Sequence, residues 1–266
     1  MLGFVGAGNM AEAICRGAIS GGVVEAGSVI ACDVMPQRLL IFEALGALKA
    51  ESAREVSERA ETIILAVKPQ NAADVLGELA GLVKPPKLLV SICAGVTTAT
   101  IEAALGEGSP VVRVMPNTPL LVGKGMSALA AGRWAAPGDL ERAEAVFSAV
   151  GDAVVLDEAD IDAVTAVSGS GPAYFFYLVE AMTEAGVAEG LDRKVAERLA
   201  RRTAEGAGEL LAASQEAAEE LRHRVTSPGG TTQAAVELMD RNGVKESLVS
   251  AVRRAAERSR ELGRGG

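Results

Sequence analysis

The hexapeptide Gly6-Ala7-Gly8-Asn9-Met10-Ala11 follows a short apolar run, Leu2-Gly3-Phe4-Val5. It opens a stretch in which Ala11, Ile14, Cys15, Ala18 and Ile19 recur at helical spacing. A G-x-G-x-x-G/A pattern between a strand and a helix is suited to holding a dinucleotide. Gly6 permits the tight turn, and Gly8 lets the backbone approach a pyrophosphate that any Cβ would obstruct. Ala11 keeps the helix close to the strand, and the N–H groups at the helix start attract the phosphates. Asp33 ends the next apolar run, 25 residues beyond Gly8, near the ~20 usual for an acid that binds the ribose 2′-hydroxyl of NAD. Arg38 suits a 2′-phosphate instead. The two residues point to NADH and NADPH respectively, and the sequence leaves both open.

Two further apolar runs end in Ala66-Val67-Lys68-Pro69 and in Cys93-Ala94. Open α/β sheets present ligand contacts at such strand ends. Lys68 reads either as a solvated lysine or as part of the cofactor edge. The Cys93 side chain reads as a small buried group, with its backbone lining the nicotinamide pocket.

Composition narrows the chemistry. The chain of 266 residues holds one histidine, His223, so multi-histidine metal sites are excluded. Cys15, Cys32 and Cys93 share no ligand spacing, so no metal is expected. Free thiols point to a reducing compartment, the cytoplasm. A net charge of −9 and only eight aromatic residues argue against nucleic acid as a partner. No apolar stretch reaches the ~18 residues of a membrane span. The apolar start runs into the glycine loop without a cationic segment, so no signal peptide is expected. His223 lies in the polar run Leu221-Arg222-His223-Arg224 and reads as a surface residue rather than a general acid.

The elements that must position these residues alternate through the first two-thirds of the chain. Strands are expected at 2–5, 29–32, 62–67, 88–92 and 111–115, with weaker ones at 126–131 and 153–156. Helices are expected after the glycine loop and at 38–48, 72–82, 98–105 and 139–150. This is an α/β pattern, a doubly wound, mostly parallel Rossmann-type sheet. Beyond about residue 160 the strand signals vanish. Residues 164–190 read as one long helix or a broken pair. Val195, Leu199, Thr203, Ala207 and Leu211 lie four apart on one helix face, and Val244, Leu248, Val252, Ala255 and Ser259 repeat the pattern. The expected division is a dinucleotide-binding domain at 1–157 and an all-helical domain at 158–266.

Three more segments carry a resemblance: Val112-Arg113-Val114-Met115-Pro116-Asn117-Thr118-Pro119; Asp162-Ala163-Val164-Thr165 with Ser168-Gly169-Ser170-Gly171-Pro172-Ala173-Tyr174; and Val225-Thr226-Ser227-Pro228-Gly229-Gly230-Thr231-Thr232. With the glycine loop and Val67-Lys68-Pro69 they closely resemble pyrroline-5-carboxylate reductases, colinearly from about residue 2 to 262, the last segment most specifically. The resemblance implies NAD(P)H-dependent reduction of 1-pyrroline-5-carboxylate to L-proline, the final step of proline biosynthesis. It implies a helical domain that dimerises by interleaving helices, with the substrate pocket against the partner and dimers assembled into a larger ring such as a decamer. It places Ser227, Gly229, Gly230, Thr231 and Thr232 around the substrate, with Glu158 as an acid near it. Glycine-freed N–H groups and the start of the next helix suit the substrate carboxylate. The Thr232 hydroxyl suits the ring nitrogen, which makes it the catalytic candidate.

Two departures from the family pattern stand out. Ala53 occupies a position where many relatives carry Asn. An acid ahead of Val225 is replaced by Gln215 or shifted to Glu216. The nearest alternative, a 3-hydroxyisobutyrate-type dehydrogenase, needs a catalytic lysine on its first long helix, yet none occurs between Lys124 and Lys194. A non-catalytic nucleotide sensor would have little use for the loop 227–232.

Overall fold

The computed structural model describes residues 1–264. They form two compact units, Met1–Gly169 with the chain from Ala255 onward, and Ser170–Arg254.

In the first unit, strands β1 (Leu2–Val5), β2 (Val29–Cys32), β3 (Leu48–Lys49), β4 (Thr62–Leu65), β5 (Leu88–Ser91), β6 (Val111–Met115), β7 (Gly125–Ala131) and β8 (Gly151–Val155) form one sheet. Its order is β3-β2-β1-β4-β5-β6-β7-β8. Helices α1 (Asn9–Ser20), α2 (Pro36–Ala44), α3 (Ala53–Arg59), α4 (Ala72–Leu79), α5 (Thr98–Leu105) and α6 (Pro137–Ser148) cover it. The expected α/β Rossmann-type sheet is therefore present. All neighbours pair in parallel except β6 and β7. Parallel pairing needs a crossover of about a dozen residues or more. The β6–β7 connection is shorter and holds one 3-10 turn, Thr118–Val122, so the chain doubles back.

Alternation along the strands divides the core. Phe4, Ile14, Phe42 and Phe147 share one cluster, with Phe4 and Phe42 in an edge contact at 5.4 Å. Val5, Ile63 and Leu65 join Val56, Leu76 and Ile101 in a second cluster. Each fully buried side chain of this size contributes about 1.5–3 kcal/mol.

Several local expectations shift. The helix expected at 38–48 begins at Pro36, whose fixed φ suits a first helical turn, and ends at Ala44. Leu48 and Lys49 pair with Ile30 and Ala31 instead, because the free edge of β2 offers backbone partners that a further helical turn would forgo. Helix α3 was not foreseen. Its signal is Ser52-x-x-Glu55: Ser52 Oγ accepts from Glu55 N at 3.2 Å, and Glu55 Oε2 accepts from Glu51 N at 2.9 Å.

The last strand ends at Val155. Helix α7 (Ile161–Val164) passes into a π-helical turn, Thr165–Gly169. The expected 164–190 helix is thus broken before α8 (Gly171–Ala188), which carries Pro172 in its first turn. Then follow α9 (Arg193–Ala213), α10 (Ala218–Arg224), α11 (Thr231–Arg241) and α12 (Val244–Arg264). No helix among the described residues is long and apolar enough to cross a membrane.

The apolar row on α9 has an unexpected outcome. Its buried residues are Ala196 and Ala200, whereas Val195 and Leu199 are about half exposed. Gly186 of α8 lies so close to Ala196 that a Cβ there would meet Ala196 Cβ at 3.0 Å. Small residues thus seal α8 to α9, and the larger ones are left outward. Phe175, Phe176, Tyr177, Leu238 and Leu248 are outward as well. So many large apolar groups on one small unit mark an association surface.

Candidate active site

The candidate cofactor residues converge because the sheet order converges. Gly6 to Gly8 follow β1, Asp33 follows β2, Ala66 to Pro69 follow β4, and Cys93 and Ala94 follow β5. These four strands are neighbours in the order β2-β1-β4-β5. The residues therefore share one C-terminal sheet edge, where the order reverses between β1 and β4. Such a switch point is where open α/β sheets bind ligands.

The glycine loop shows why its residue types are needed. Gly6 has φ +96°, and a Cβ on it would lie 2.6 Å from Ala66 O. Gly8 caps α1 in extended conformation with no side-chain cap, and a Cβ on it would meet nothing within 4 Å. The fold thus leaves space over Gly8, beside the helix-start N–H groups that no carbonyl of the helix can reach. Asn9, Met10 and Ala11 supply those groups. This cradle fits the pyrophosphate of a nicotinamide dinucleotide.

Asp33 and Arg38 brace the loop from the β2 side. Ala7 N donates to Asp33 Oδ2 at 2.6 Å, and Met35 N donates to Asp33 Oδ1 at 2.8 Å. Arg38 Nε donates to Ala7 O at 2.6 Å, and its Nη2 reaches Glu12 Oε2 at 3.1 Å. Both polar groups of the Ala7 backbone are therefore held by side chains distant in sequence.

Lys68 is exposed at the end of β4, as is Ala94 beyond β5. Cys93 is buried, with Sγ 3.3 Å from Val67 O, and burial raises its thiol pKa. Ala53 is buried in the first turn of α3.

Glu158 lies in the first unit. It accepts from Thr98 N at 2.8 Å and from Thr98 Oγ1, and it pairs with Arg113 at 3.0 Å. Arg113 is buried in β6, where an unpaired charge would be costly. Three acceptor positions of Glu158 are thus filled. Asn117 joins two of the segments that carried the resemblance. Its Nδ2 donates to Ser168 O and Oγ at 3.2 Å, and its Oδ1 accepts from Met126 N at 2.8 Å. Arg113, Asn117 and the π turn at Ser168 had no assigned role in the sequence. An arginine in an otherwise apolar strand was the available signal.

The residues 227–232 lie in the second unit. Gly229 has φ +71°, and Gly230 caps α11 with no side-chain cap. The helix starts at Thr231. Gly230 N donates to Ser227 O at 3.0 Å, closing the turn. Gly229 N donates to Gln233 Oε1 at 2.6 Å, and Gln233 Nε2 donates to Glu237 Oε1 at 2.7 Å. Ser227, Gly229 and Thr231 are exposed, and Thr232 is half-buried. Before the loop, Glu216 pairs with Arg224, while Gln215 is exposed. His223 is exposed too, 3.7 Å from Glu219.

Residues 158–262 match a family described as pyrroline-5-carboxylate reductase dimerisation. Residues 1–95 match one described as NADP oxidoreductase coenzyme F420-dependent. A pyrroline-5-carboxylate reductase of Pseudomonas aeruginosa is 45% identical over 262 residues, covering 98% of this chain and 96% of its own. The structure of one from Coxiella burnetii is 34% identical with a TM-score of 0.92, covering 98% and 97% of the two chains. That of Plasmodium falciparum pyrroline carboxylate reductase, with NADP bound, is 30% identical with a TM-score of 0.86, again covering 98% and 97%.

Proposed function

The chain belongs to the pyrroline-5-carboxylate reductase family, and we propose how its own residues reduce 1-pyrroline-5-carboxylate to L-proline with NAD(P)H. The observation that carries the proposal is the turn 227–230 closing directly onto the uncapped start of α11. Backbone N–H groups at a helix start favour an anion, and the substrate carries a carboxylate. Ser227, Gly229, Gly230 and Thr231 hold that carboxylate. Gly229 N and Gly230 N donate to Gln233 Oε1 and Ser227 O in this structure, so the carboxylate takes the place of those acceptors when it binds, beside the helix-start N–H groups that no carbonyl of α11 can reach.

Thr232 donates its hydroxyl to the ring nitrogen. When bound, the nicotinamide supplies a hydride to the imine carbon. The C=N electron pair then moves to nitrogen, which takes a proton from solvent to give the amine of proline, so the hydrogen bond from Thr232 strengthens as charge builds on nitrogen, and only such interactions accelerate the reaction. Glu158 sits near the substrate with the one acceptor position that Thr98 and Arg113 leave. Gly6 to Ala11, Asp33, Ala66 to Pro69, Cys93 and Ala94 hold the dinucleotide.

The functional division follows 1–157 for the cofactor and 158–266 for substrate and dimerisation. The family match beginning at residue 158 supports it. The outward apolar side chains of α8, α9 and α11 support a homodimer, and dimers assemble further into a ring such as a decamer. Three buried free thiols support the cytoplasm as its compartment. Steady-state reduction of 1-pyrroline-5-carboxylate, with NADH and NADPH in parallel, tests the reaction. No consumption of either nucleotide would refute it.

A further inference from the structure

We propose that this chain takes NADH in preference to NADPH, and that Asp33, Glu12 and Arg38 together set the preference. The inference rests on the reading of the chain as a nicotinamide-dependent reductase.

A 2′-phosphate needs an available cation or several donors beyond β2. Residues 33–37 are Asp-Val-Met-Pro-Gln and contain no cation and no hydroxyl. Val34 and Met35 are exposed there, and Pro36 has no N–H to give. The one cation of this segment is Arg38, which turns back toward the glycine loop. Its Nε is committed to Ala7 O and its Nη2 to Glu12. Its charge is therefore already met by a carboxylate.

Asp33 is the other half of the argument. Each of its oxygens takes one backbone N–H, from Ala7 and from Met35. These bonds fix the carboxylate at the end of β2. A carboxylate can accept about four hydrogen bonds, so capacity remains for a ribose hydroxyl. A phosphate in the same place would instead meet a fixed negative charge, with Arg38 already committed. The segment at the end of the neighbouring strand β3 adds no net positive charge, since Lys49 and Arg54 are balanced by Glu51 and Glu55. NADP is bound in one relative's structure and named for the family that residues 1–95 match; the proposal rests instead on residues 33–38 of this chain.

The test measures dissociation constants of NADH and NADPH on the full chain by nucleotide fluorescence. Competition by 5′-ADP-ribose and by its 2′-phosphorylated form gives a readout independent of turnover. The wild type is expected to bind NADH at least tenfold more tightly, and kcat/KM should favour NADH alike. Asp33→Asn keeps an acceptor for the loop and removes the charge. It should narrow the ratio severalfold, chiefly by improving NADPH. Glu12→Gln releases Arg38 and should narrow it independently. Equal or tighter binding of NADPH by the wild type, or an unchanged ratio in both variants, would overturn the inference. Turnover with NADPH preferred would overturn it while sustaining the reductase reading. Tight binding without turnover of 1-pyrroline-5-carboxylate would sink that reading and leave the binding ratio to judge this one.

Discussion

Two glycine turns in this molecule open helices without a side-chain cap, yet they are built differently. The turn at Gly6–Gly8 is braced by residues far away in sequence, with Asp33 and Arg38 holding both polar groups of Ala7. The turn at 227–230 is held by its near neighbours only: Ser227 O, Gln233 and, through it, Glu237. The first lies on a sheet edge backed by two buried clusters. The second is exposed on a unit whose large apolar side chains also face outward. A phosphate cradle can thus be finished within one chain. The proposed substrate turn is finished locally, on a unit with a large outward apolar surface.

The sharpest way to break this comparison is at the glycines. Gly8→Val should abolish dinucleotide binding, a loss of more than about a hundredfold, because its side chain takes the phosphate's space. The fold should survive, since the position is open. Calorimetric binding beside a thermal melt checks both. Gly6→Ala should do the reverse, destabilising by about 1–3 kcal/mol through φ strain and the Ala66 contact. Equal melts for the two variants would erase the distinction.

Thr232→Ala should lower kcat by about a hundredfold. The dissociation constant of the nucleotide should change less than about twofold, since the first turn is built independently. Stopped-flow turnover with separate nucleotide titration reads the two. Gln233→Ala should be milder, raising KM for 1-pyrroline-5-carboxylate by about three- to tenfold with kcat little changed. This is the cost of loosening one hydrogen bond. A larger fall in kcat than in KM would place Gln233 in the chemistry.

The smallest effect concerns the thiols of the first unit. Burial raises Cys15 and Cys32 to about 11. Between about pH 9 and 11 the folded chain then holds more protons than the unfolded one, so stability falls as pH rises. Chemical denaturation at pH 8, 9.5 and 10.5 checks the sign. Alkylation of native protein at pH 8 should be slow at all three cysteines.

Much of the first unit was legible because its signals are local. Strand β1, the glycine loop and α1 are a single run of sequence, and apolar runs of the right length mark every other strand except β3. Helix α3 was missed although Ser52 and Glu55 mark it, because it is short and apolar periodicity cannot register two turns. The edge strand at Leu48 was missed because two residues carry no pattern, and β2 alone recruits them. The substrate loop was legible through resemblance and through Gly229 and Gly230. Its clasp by Gln233 was not, because a glutamine beside a turn has many partners to choose from.

The sequence by itself determined the chemistry on offer: a glycine turn of dinucleotide type, a second glycine turn before a helix, and a hydroxyl beside it. These are consequences of residue type at short spacing, where the chain has little conformational choice. The tertiary structure alone decided how charges are shared. Asp33 and Arg38 looked like competing votes on the cofactor, yet both are drawn into bracing Ala7, and Arg38 is met by Glu12. It also decided that α9 turns Ala196 inward and leaves Leu199 outward. Each outcome depends on which group arrives within bonding or packing distance from elsewhere in the chain, and spacing along the sequence carries no record of that.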